Sequence, residues 1–253
     1  MLTDDQFTLQ DSNGRRNRIL HLPATDPLYD FVEKRFEKGW KHPDKPKPPV
    51  HAIFKIQLTK ENLEAYQKYR TRVEASPIVR VHPNSRIEKL LFHGTNRRCL
   101  LADDKSRTRL CELPECHLCR IVGSSFDIAK CGMKHQFRRF GTGIYSTSCS
   151  SKADDYVVDG AKKSTFRVML ASRVIVGKPF KRRQNGTGLT GPPPGYHSIV
   201  GKPGIHLNYP ETVVYDNDAI RPAFLVVYGF PPEKDPNALR SVISKLFKTP
   251  IAS

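Results

Sequence analysis

Four cysteines lie close together in the chain with a spacing typical of metal sites. Cys111, Cys116 and Cys119 are followed by Cys131, which gives the pattern C-x4-C-x2-C-x11-C. Two thiolates separated by two residues are a common half-site for zinc, and four thiolates complete a tetrahedral structural site. The spacing therefore predicts a structural zinc bound by these four residues. Buried cysteines also serve as small hydrophobic residues in protein cores, so that alternative stays open.

The distribution of charge singles out one carboxylate. The 253 residues include 42 Lys and Arg against 25 Asp and Glu, for a net charge of +17. No carboxylate occurs between Asp159 and Glu211, although several lysines and arginines lie there. A surface built from this stretch would attract polyanions, but a solvated basic face without a ligand has the same composition. Glu211 is therefore an isolated negative group at the end of a basic region.

Three further segments carry residues that are common in active sites. The first is Leu90-Leu-Phe-His-Gly-Thr95, in which a hydrophobic run ends on His93. The second is Gly141-Thr-Gly-Ile-Tyr145 followed by Ser150-Ser-Lys-Ala-Asp-Asp-Tyr156, and the third is Glu211-Thr-Val-Val-Tyr-Asp216. Taken singly, each residue has an ordinary structural explanation, such as a hydrogen-bonded histidine at a strand end or a core tyrosine. The three segments together carry the functional argument.

In this order, the three segments resemble the signatures of poly(ADP-ribose) polymerase-like ADP-ribosyltransferase catalytic domains. The resemblance extends from about residue 50 to about residue 230. Within the family, the chain resembles members that lack a helical regulatory domain. It implies NAD⁺ as substrate and a catalytic triad of His93, Tyr145 and Glu211. Cleavage of the bond between nicotinamide and ribose develops positive charge on the sugar, which a fixed carboxylate stabilises.

The resemblance also implies how each residue meets NAD⁺. His93 and Thr95 would bind the adenosine ribose, and Glu211 would bind the 2′-hydroxyl of the nicotinamide ribose.

The nicotinamide would be held by the backbone of Gly94 and by the rings of Tyr145 and Tyr156. Ala153 stands where many relatives have a serine that bonds the nicotinamide amide, which leaves Ser151 as the nearby hydroxyl.

The activity implied by the resemblance is transfer of ADP-ribose to a protein or nucleic-acid acceptor, with mono-ADP-ribosylation favoured by the short catalytic unit. Two alternatives remain at this stage. The same site could hydrolyse NAD⁺ with water as acceptor, or the chain could be an inactive relative that uses its basic surface to bind nucleic acid or acidic proteins.

The elements that must position these residues follow from hydrophobic periodicity. Residues 1–25 are polar and are expected to form a poorly ordered arm, residues 26–231 the catalytic domain, and residues 232–253 a basic helical tail. The fold class is α+β, an ADP-ribosyltransferase fold with a split mixed or antiparallel sheet and peripheral helices. Thr59 is expected to cap a helix, and residues 184–209 to form one long loop.

No run reaches the roughly 18 to 20 apolar residues that span a membrane, and the polar N-terminus does not resemble a signal peptide. We therefore expect an intracellular protein, nuclear or cytoplasmic, without membrane contact.

Overall fold

The computed structural model describes residues 2–9, 17–80, 87–130, 137–160 and 164–230. The predicted ligand Cys131 and the predicted basic tail lie outside these ranges. The helices are α1 (Pro27–Gly39), α2 (Lys60–Glu74), α3 (Pro77–Arg80), α4 (His117–Ser124) and α5 (Ser150–Asp154). The strands are β1 (Arg18–Leu22), β2 (Val50–Gln57), β3 (Glu88–His93), β4 (Asn96–Arg97), β5 (Ile144–Ser146), β6 (Val158–Asp159), β7 (Arg167–Ile175), β8 (Pro179–Arg182), β9 (Ser198–Gly201), β10 (Glu211–Val214) and β11 (Ile220–Tyr228).

The larger sheet contains five antiparallel strands in the order β1-β2-β11-β7-β3. Its central strand β11 is buried at every position, which explains the nearly continuous apolar sequence of this strand. Helices α1 and α2 pack their apolar sides into the same core, through residues such as Phe36 and Tyr66. The predicted cap is confirmed, because the Thr59 side chain accepts a hydrogen bond from the backbone N–H of Asn62.

The smaller sheet has the order β5-β10-β9-β8, with β8 and β9 parallel and the other pairs antiparallel. Next to the larger sheet, the backbones of Phe92 on β3 and Thr147 just after β5 exchange hydrogen bonds of 2.7 and 3.0 Å. Beyond this pair β3 and β5 diverge. The predicted α+β arrangement with a split mixed sheet is confirmed.

The predicted N-terminal arm is wrong where the structure describes it. Residues 18–22 form the edge strand β1, and Phe7 is fully buried against Phe224. Asp4 accepts a hydrogen bond of 2.7 Å from the buried Arg173. Burial alone would raise the pKa of Asp4, but the hydrogen bonds from Gln67 and Arg173 outweigh it and lower the pKa. The segment is therefore part of the domain, and its polar residues are partners for buried charges.

The long loop predicted over residues 184–209 is interrupted by β9, and a further unpredicted strand, β8, precedes it. Both strands are only four residues long and are flanked by glycine and proline, so they carry little periodicity. Strand β9 pairs with β10 and β8 pairs with β9, and this pairing gives both segments their strand structure.

Candidate active site

A large cavity opens where the two sheets diverge. Its volume is about 1120 Å³, and its walls come from the end of β3, helix α4, residues 124–130, residues 137–147, helix α5 and the start of β10. The predicted residues His93, Gly94, Thr95, Tyr145, Tyr156 and Glu211 all line this cavity. The fold therefore brings together six residues that lie up to 118 positions apart in the sequence.

His93 is fixed at the split between the sheets. Its Nδ1 lies 2.8 Å from the backbone carbonyl oxygen of Tyr145, and its ring meets the edge of Phe126 at 5.2 Å. Burial lowers the pKa of His93, so the ring is neutral near pH 7. Because a carbonyl oxygen only accepts, Nδ1 carries the proton and Nε2 is left as an acceptor. A neutral histidine in this tautomer can accept a hydrogen bond from a sugar hydroxyl.

Gly94 is required by close packing against α5. A Cβ atom on this residue would lie 1.9 Å from the carbonyl oxygen of Ala153 and 3.0 Å from Cβ of Tyr156. Real Cβ atoms do not approach backbone atoms so closely, so α5 would have to move. The glycine therefore sets the distance between the two walls that carry His93 and Tyr156.

The two predicted tyrosines differ in their surroundings. The Tyr145 hydroxyl donates to the carbonyl of Gly141 at 2.8 Å and accepts from the backbone N–H of Phe140 at 2.9 Å, which fixes the ring. Tyr156 has a relative exposure of 44% at the cavity rim. One ring is thus rigidly placed, and the other presents an accessible aromatic surface to a ligand.

Glu211 opens β10 and lies beside Gly201 of β9. Its Oε1 forms an ion pair of 2.7 Å with Nζ of Lys152, and its Oε2 lies 3.9 Å from Nε of Arg139. Within the described residues Oε2 is buried and receives no hydrogen bond. An acceptor in this state is costly unless another molecule supplies a donor. Glu211 is therefore oriented by one cation and retains one acceptor oxygen for a ligand.

Lys152 and Arg139 were not assigned roles from the sequence. Burial lowers the pKa of Lys152, and its ion pair with Glu211 opposes this effect. The lysine also donates to the carbonyl of Tyr209 at 3.1 Å, which connects α5 to the segment before β10. The signals available in the sequence were the Ser-Lys pair at the start of α5 and the paired arginines before Phe140. Neither pattern identifies a carboxylate partner 59 or 72 residues away.

Ser151 does not join the cavity. It is fully buried, and its Oγ accepts hydrogen bonds from the backbone N–H groups of Lys41 and His42 at 2.9 and 3.1 Å. The prediction that Ser151 contacts nicotinamide therefore has no support in the geometry, because its hydroxyl is hydrogen-bonded to the backbone of the loop after α1. Ala153, which stands where many relatives have a serine, lines the cavity from α5.

Four cysteine sulfurs form a cluster behind the α4 wall of the cavity. The sulfurs of Cys99, Cys111, Cys116 and Cys119 all lie within 4.8 Å of one another, so this cluster could hold a metal ion. Four thiolates around zinc at about 2.3 Å would be separated by about 3.8 Å. The Cys99 sulfur lies 3.8 Å from that of Cys116 and 3.5 Å from that of Cys119. The cluster has the dimensions of a tetrahedral zinc site.

Hydrogen bonding within the cluster favours a thiolate at Cys116, whereas the hydrogen bonds to Cys116 raise the pKa of Cys99 and of Cys119. The backbone N–H of Arg98 points at the Cys116 sulfur at 3.3 Å, and that of Cys111 at the Cys119 sulfur at 3.4 Å. Hydrogen bonds from Cys119 and Cys99 hold the pKa of Cys116 well below its ordinary value. Three of the four predicted ligands are present in the cluster, and Cys99 completes it. Spacing alone does not single out Cys99, because it lies twelve residues before the nearest of the other cysteines.

None of the helices described in the structure is long and apolar enough to cross a membrane.

Comparison with known protein families is consistent with this site. The model of the poly(ADP-ribose) polymerase catalytic domain matches residues 29–204. The matched range contains β3, the cysteine cluster and α5, together with most of the cavity wall. It ends seven residues before Glu211, so the place of that carboxylate in the site comes from the structure.

Proposed function

The chain belongs to the family of poly(ADP-ribose) polymerase catalytic domains, and we propose that the cleft between its sheets transfers ADP-ribose from NAD⁺ with release of nicotinamide. The observation that carries the proposal is the buried Oε2 of Glu211, which has no donor within the described residues. A ribose hydroxyl would supply this donor. The carboxylate would then lie beside the sugar on which positive charge develops.

The cavity suits a ligand of this size and chemistry. A volume of about 1120 Å³ is slightly above the roughly 300–1000 Å³ usual for small-molecule sites, which leaves room for a ligand as large as a dinucleotide. His93 offers a neutral acceptor to the adenosine ribose, with Thr95 beside it. The ring of Tyr145 and the exposed ring of Tyr156 would hold the planar nicotinamide.

The protein side chains would act by orientation and electrostatics. Lys152 holds one oxygen of Glu211, so the carboxylate does not have to reorganise as charge forms on the sugar. The main contribution of Glu211 would therefore be electrostatic stabilisation of the transition state. The described residues form one compact unit around this cleft, which is the basis for proposing that single ADP-ribose units are transferred.

The proposal is tested with the purified protein, NAD⁺ labelled in its adenylate part, and two matched variants. Glu211→Gln removes the charge at the cleft, and Glu64→Gln makes the same change on the exposed side of α2. We expect the parent and Glu64→Gln to release nicotinamide and transfer label, and Glu211→Gln to lose at least about 100-fold in rate. One ADP-ribose unit per labelled acceptor site would support single transfer. A ladder of products of increasing length would indicate a polymer of ADP-ribose. Turnover to free ADP-ribose alone would indicate hydrolysis.

Turnover by none of the three proteins, with protein and nucleic-acid acceptors supplied, would refute the proposal. Salt-sensitive binding of nucleic acid under the same conditions would then favour an inactive binding module.

We further propose that the cysteine cluster binds one structural zinc ion through Cys99, Cys111, Cys116 and Cys119. Two of these residues anchor the first turn of α4, and the same helix lines the cavity through His117 and Arg120. The ion would therefore fix one wall of the cleft.

Metal analysis tests this site directly. One zinc per chain is expected, and Cys99→Ser should lower the zinc content severalfold, whereas the buried Cys149→Ser outside the cluster should retain it. A parent protein without zinc after purification in zinc-supplemented medium would contradict the proposal.

A further inference from the structure

The position of Lys152 depends on contacts outside its own helix. Helix α5 has only five residues, and its N-cap residue Cys149 makes no side-chain capping hydrogen bond. A single helical turn is unfavourable in isolation, because several backbone angles are fixed for one hydrogen bond gained. The contacts that hold α5 in place therefore also hold the ammonium group of Lys152 against Glu211.

The loop after α1 holds one side of α5. Ser151 Oγ accepts hydrogen bonds from the backbone N–H groups of Lys41 and His42. Further along the loop, Nζ of Lys45 donates to a carboxylate oxygen of Asp154 at 2.9 Å. These bonds attach the loop near the start and at the end of the helix.

Tyr209 supports Lys152 from the other side. Its backbone carbonyl accepts a hydrogen bond of 3.1 Å from the lysine, two residues before Glu211. Its hydroxyl donates to the carbonyl of Lys41 at 3.3 Å, and its ring lies 4.1 Å from the ring of His42, with 36° between the two planes. The loop after α1 therefore contacts both supports of Lys152.

The side chain of His42 makes specific contacts with both supports. Its Nδ1 lies 2.7 Å from Ser151 Oγ, which already accepts two backbone N–H groups. The serine proton is therefore donated to Nδ1, which is nearer and a stronger acceptor than the Cys149 sulfur at 3.3 Å. A neutral His42 then carries its own proton on Nε2, 3.8 Å from a carboxylate oxygen of Asp155. The ring accepts a hydrogen bond from α5 at its edge and packs on Tyr209 with its face.

His42 lies behind the ligand site and not in it. Among the described residues, the lining of the cavity includes Lys152 and Glu211 but not His42, whose side chain is 22% exposed. Building on the proposed ADP-ribosyl transfer, we infer that His42 is a positioning residue, which holds α5 against Tyr209 and so keeps Lys152 bound to Glu211. Without it, Lys152 would move into solvent and the carboxylate would lose its orienting cation.

The test compares two histidines with matched contacts. His51, at the start of β2, has Nε2 2.7 Å from the carbonyl oxygen of Gly229 and its ring 3.9 Å from that of Phe166. Like His42 it combines one hydrogen bond with one ring contact, but it contacts neither α5 nor Tyr209 through them. His42→Ala and His51→Ala are made in the full chain. His42→Asn, which keeps an acceptor near the position of Nδ1, and His42→Phe, which keeps the ring, are made beside them.

Three quantities are measured for each protein. Calorimetry gives Tm, and nicotinamide release gives the rate at saturating NAD⁺ and KM. NMR of protein with lysine labelled at Cε gives the pKa of Lys152, whose signal is identified by its loss in Lys152→Arg. The last measurement does not require the enzyme to be active.

Both alanine variants should lower Tm to a similar extent, because each loses one hydrogen bond and one ring contact. Only His42→Ala should lower the rate at saturating NAD⁺, by about tenfold or more, with KM within about threefold of the parent. His42→Asn and His42→Phe should each recover part of this rate. Burial lowers the pKa of Lys152 and outweighs its ion pair with Glu211, so in His42→Ala the lysine should titrate closer to the ordinary 10.5. In His51→Ala it should titrate as in the parent.

A parental rate and a parental Lys152 pKa in His42→Ala would overturn the inference, as would equal changes in His51→Ala or a change confined to KM. If His42→Ala does not fold, His42→Asn and His42→Phe decide by the same measurements. Failure of the transferase is recognised separately. If no protein releases nicotinamide, the proposed activity is wrong, and the pKa of Lys152 still decides whether His42 holds the lysine in place.

Discussion

Replacing Gly94 with alanine tests how the two walls of the cleft are held. The added Cβ would lie 1.9 Å from the carbonyl oxygen of Ala153, so the walls must separate by more than 1 Å to reach ordinary contact. Overpacking of this kind costs about 3 kcal/mol, the upper end of the usual range, because both partners are backbone-anchored. For a chain of this size that corresponds to a decrease in Tm of roughly 6–12 °C.

The same displacement should affect turnover more than stability. Helix α5 carries Lys152, which orients Glu211, and a shift of about 1 Å in a positioning element can cost about 100-fold in rate. Calorimetry and nicotinamide release are measured for Gly94→Ala and for Gly204→Ala, where nothing lies within 4 Å of the added Cβ. Gly204→Ala should resemble the parent. A Gly94→Ala protein with parental Tm and turnover would refute the account of the packing.

Three further outcomes follow from the contacts of the site. Because burial lowers the pKa of His93 below the ordinary 6.5, the unfolded chain binds the proton first, and the free energy of unfolding falls as the pH drops below about 6.5. His93→Gln should flatten this decrease between pH 7 and 5 in urea titrations, and an unchanged slope would contradict the assignment. Asp154 accepts hydrogen bonds of 2.7 Å from Tyr228 and from Arg167, so Asp154→Asn should lower the free energy of unfolding by about 3 kcal/mol. The exposed Asp30→Asn should change it by less than about 0.5 kcal/mol. Equal Tm values for the two variants would argue against the buried network. Chelation of zinc should lower Tm by roughly 10 °C, reversibly with zinc but not magnesium, and an unchanged Tm would count against a structural ion.

The sequence predicts those elements whose pattern lies within one short segment. The apolar run before His93 predicts β3, and Thr59 predicts the start of α2, since a strand pattern and a capping residue are local features. The proposed triad rests on the resemblance of three short segments to the family. The structure then brought them to one cavity.

The features that sequence reasoning missed depend on contacts between distant residues. Asp4 is partly buried and paired with Arg173 and Arg70, which nothing in the polar N-terminal sequence indicates. Cys99, in the turn after β4, completes the sulfur cluster. The ion pair between Lys152 and Glu211 forms only when α5 packs beside β10. In each case the partner is specified by tertiary packing, which overrides the local pattern.

The most direct measurement of the central claim is a comparison of NAD⁺ affinity and single-turnover nicotinamide release for the parent and Glu211→Gln. If Glu211 stabilises charge on the sugar, the rate at saturating NAD⁺ should fall by at least about 100-fold while the dissociation constant changes only severalfold. A Glu211→Gln protein that releases nicotinamide at the parental rate, or loses only affinity, would contradict the claim that this carboxylate is the catalytic group.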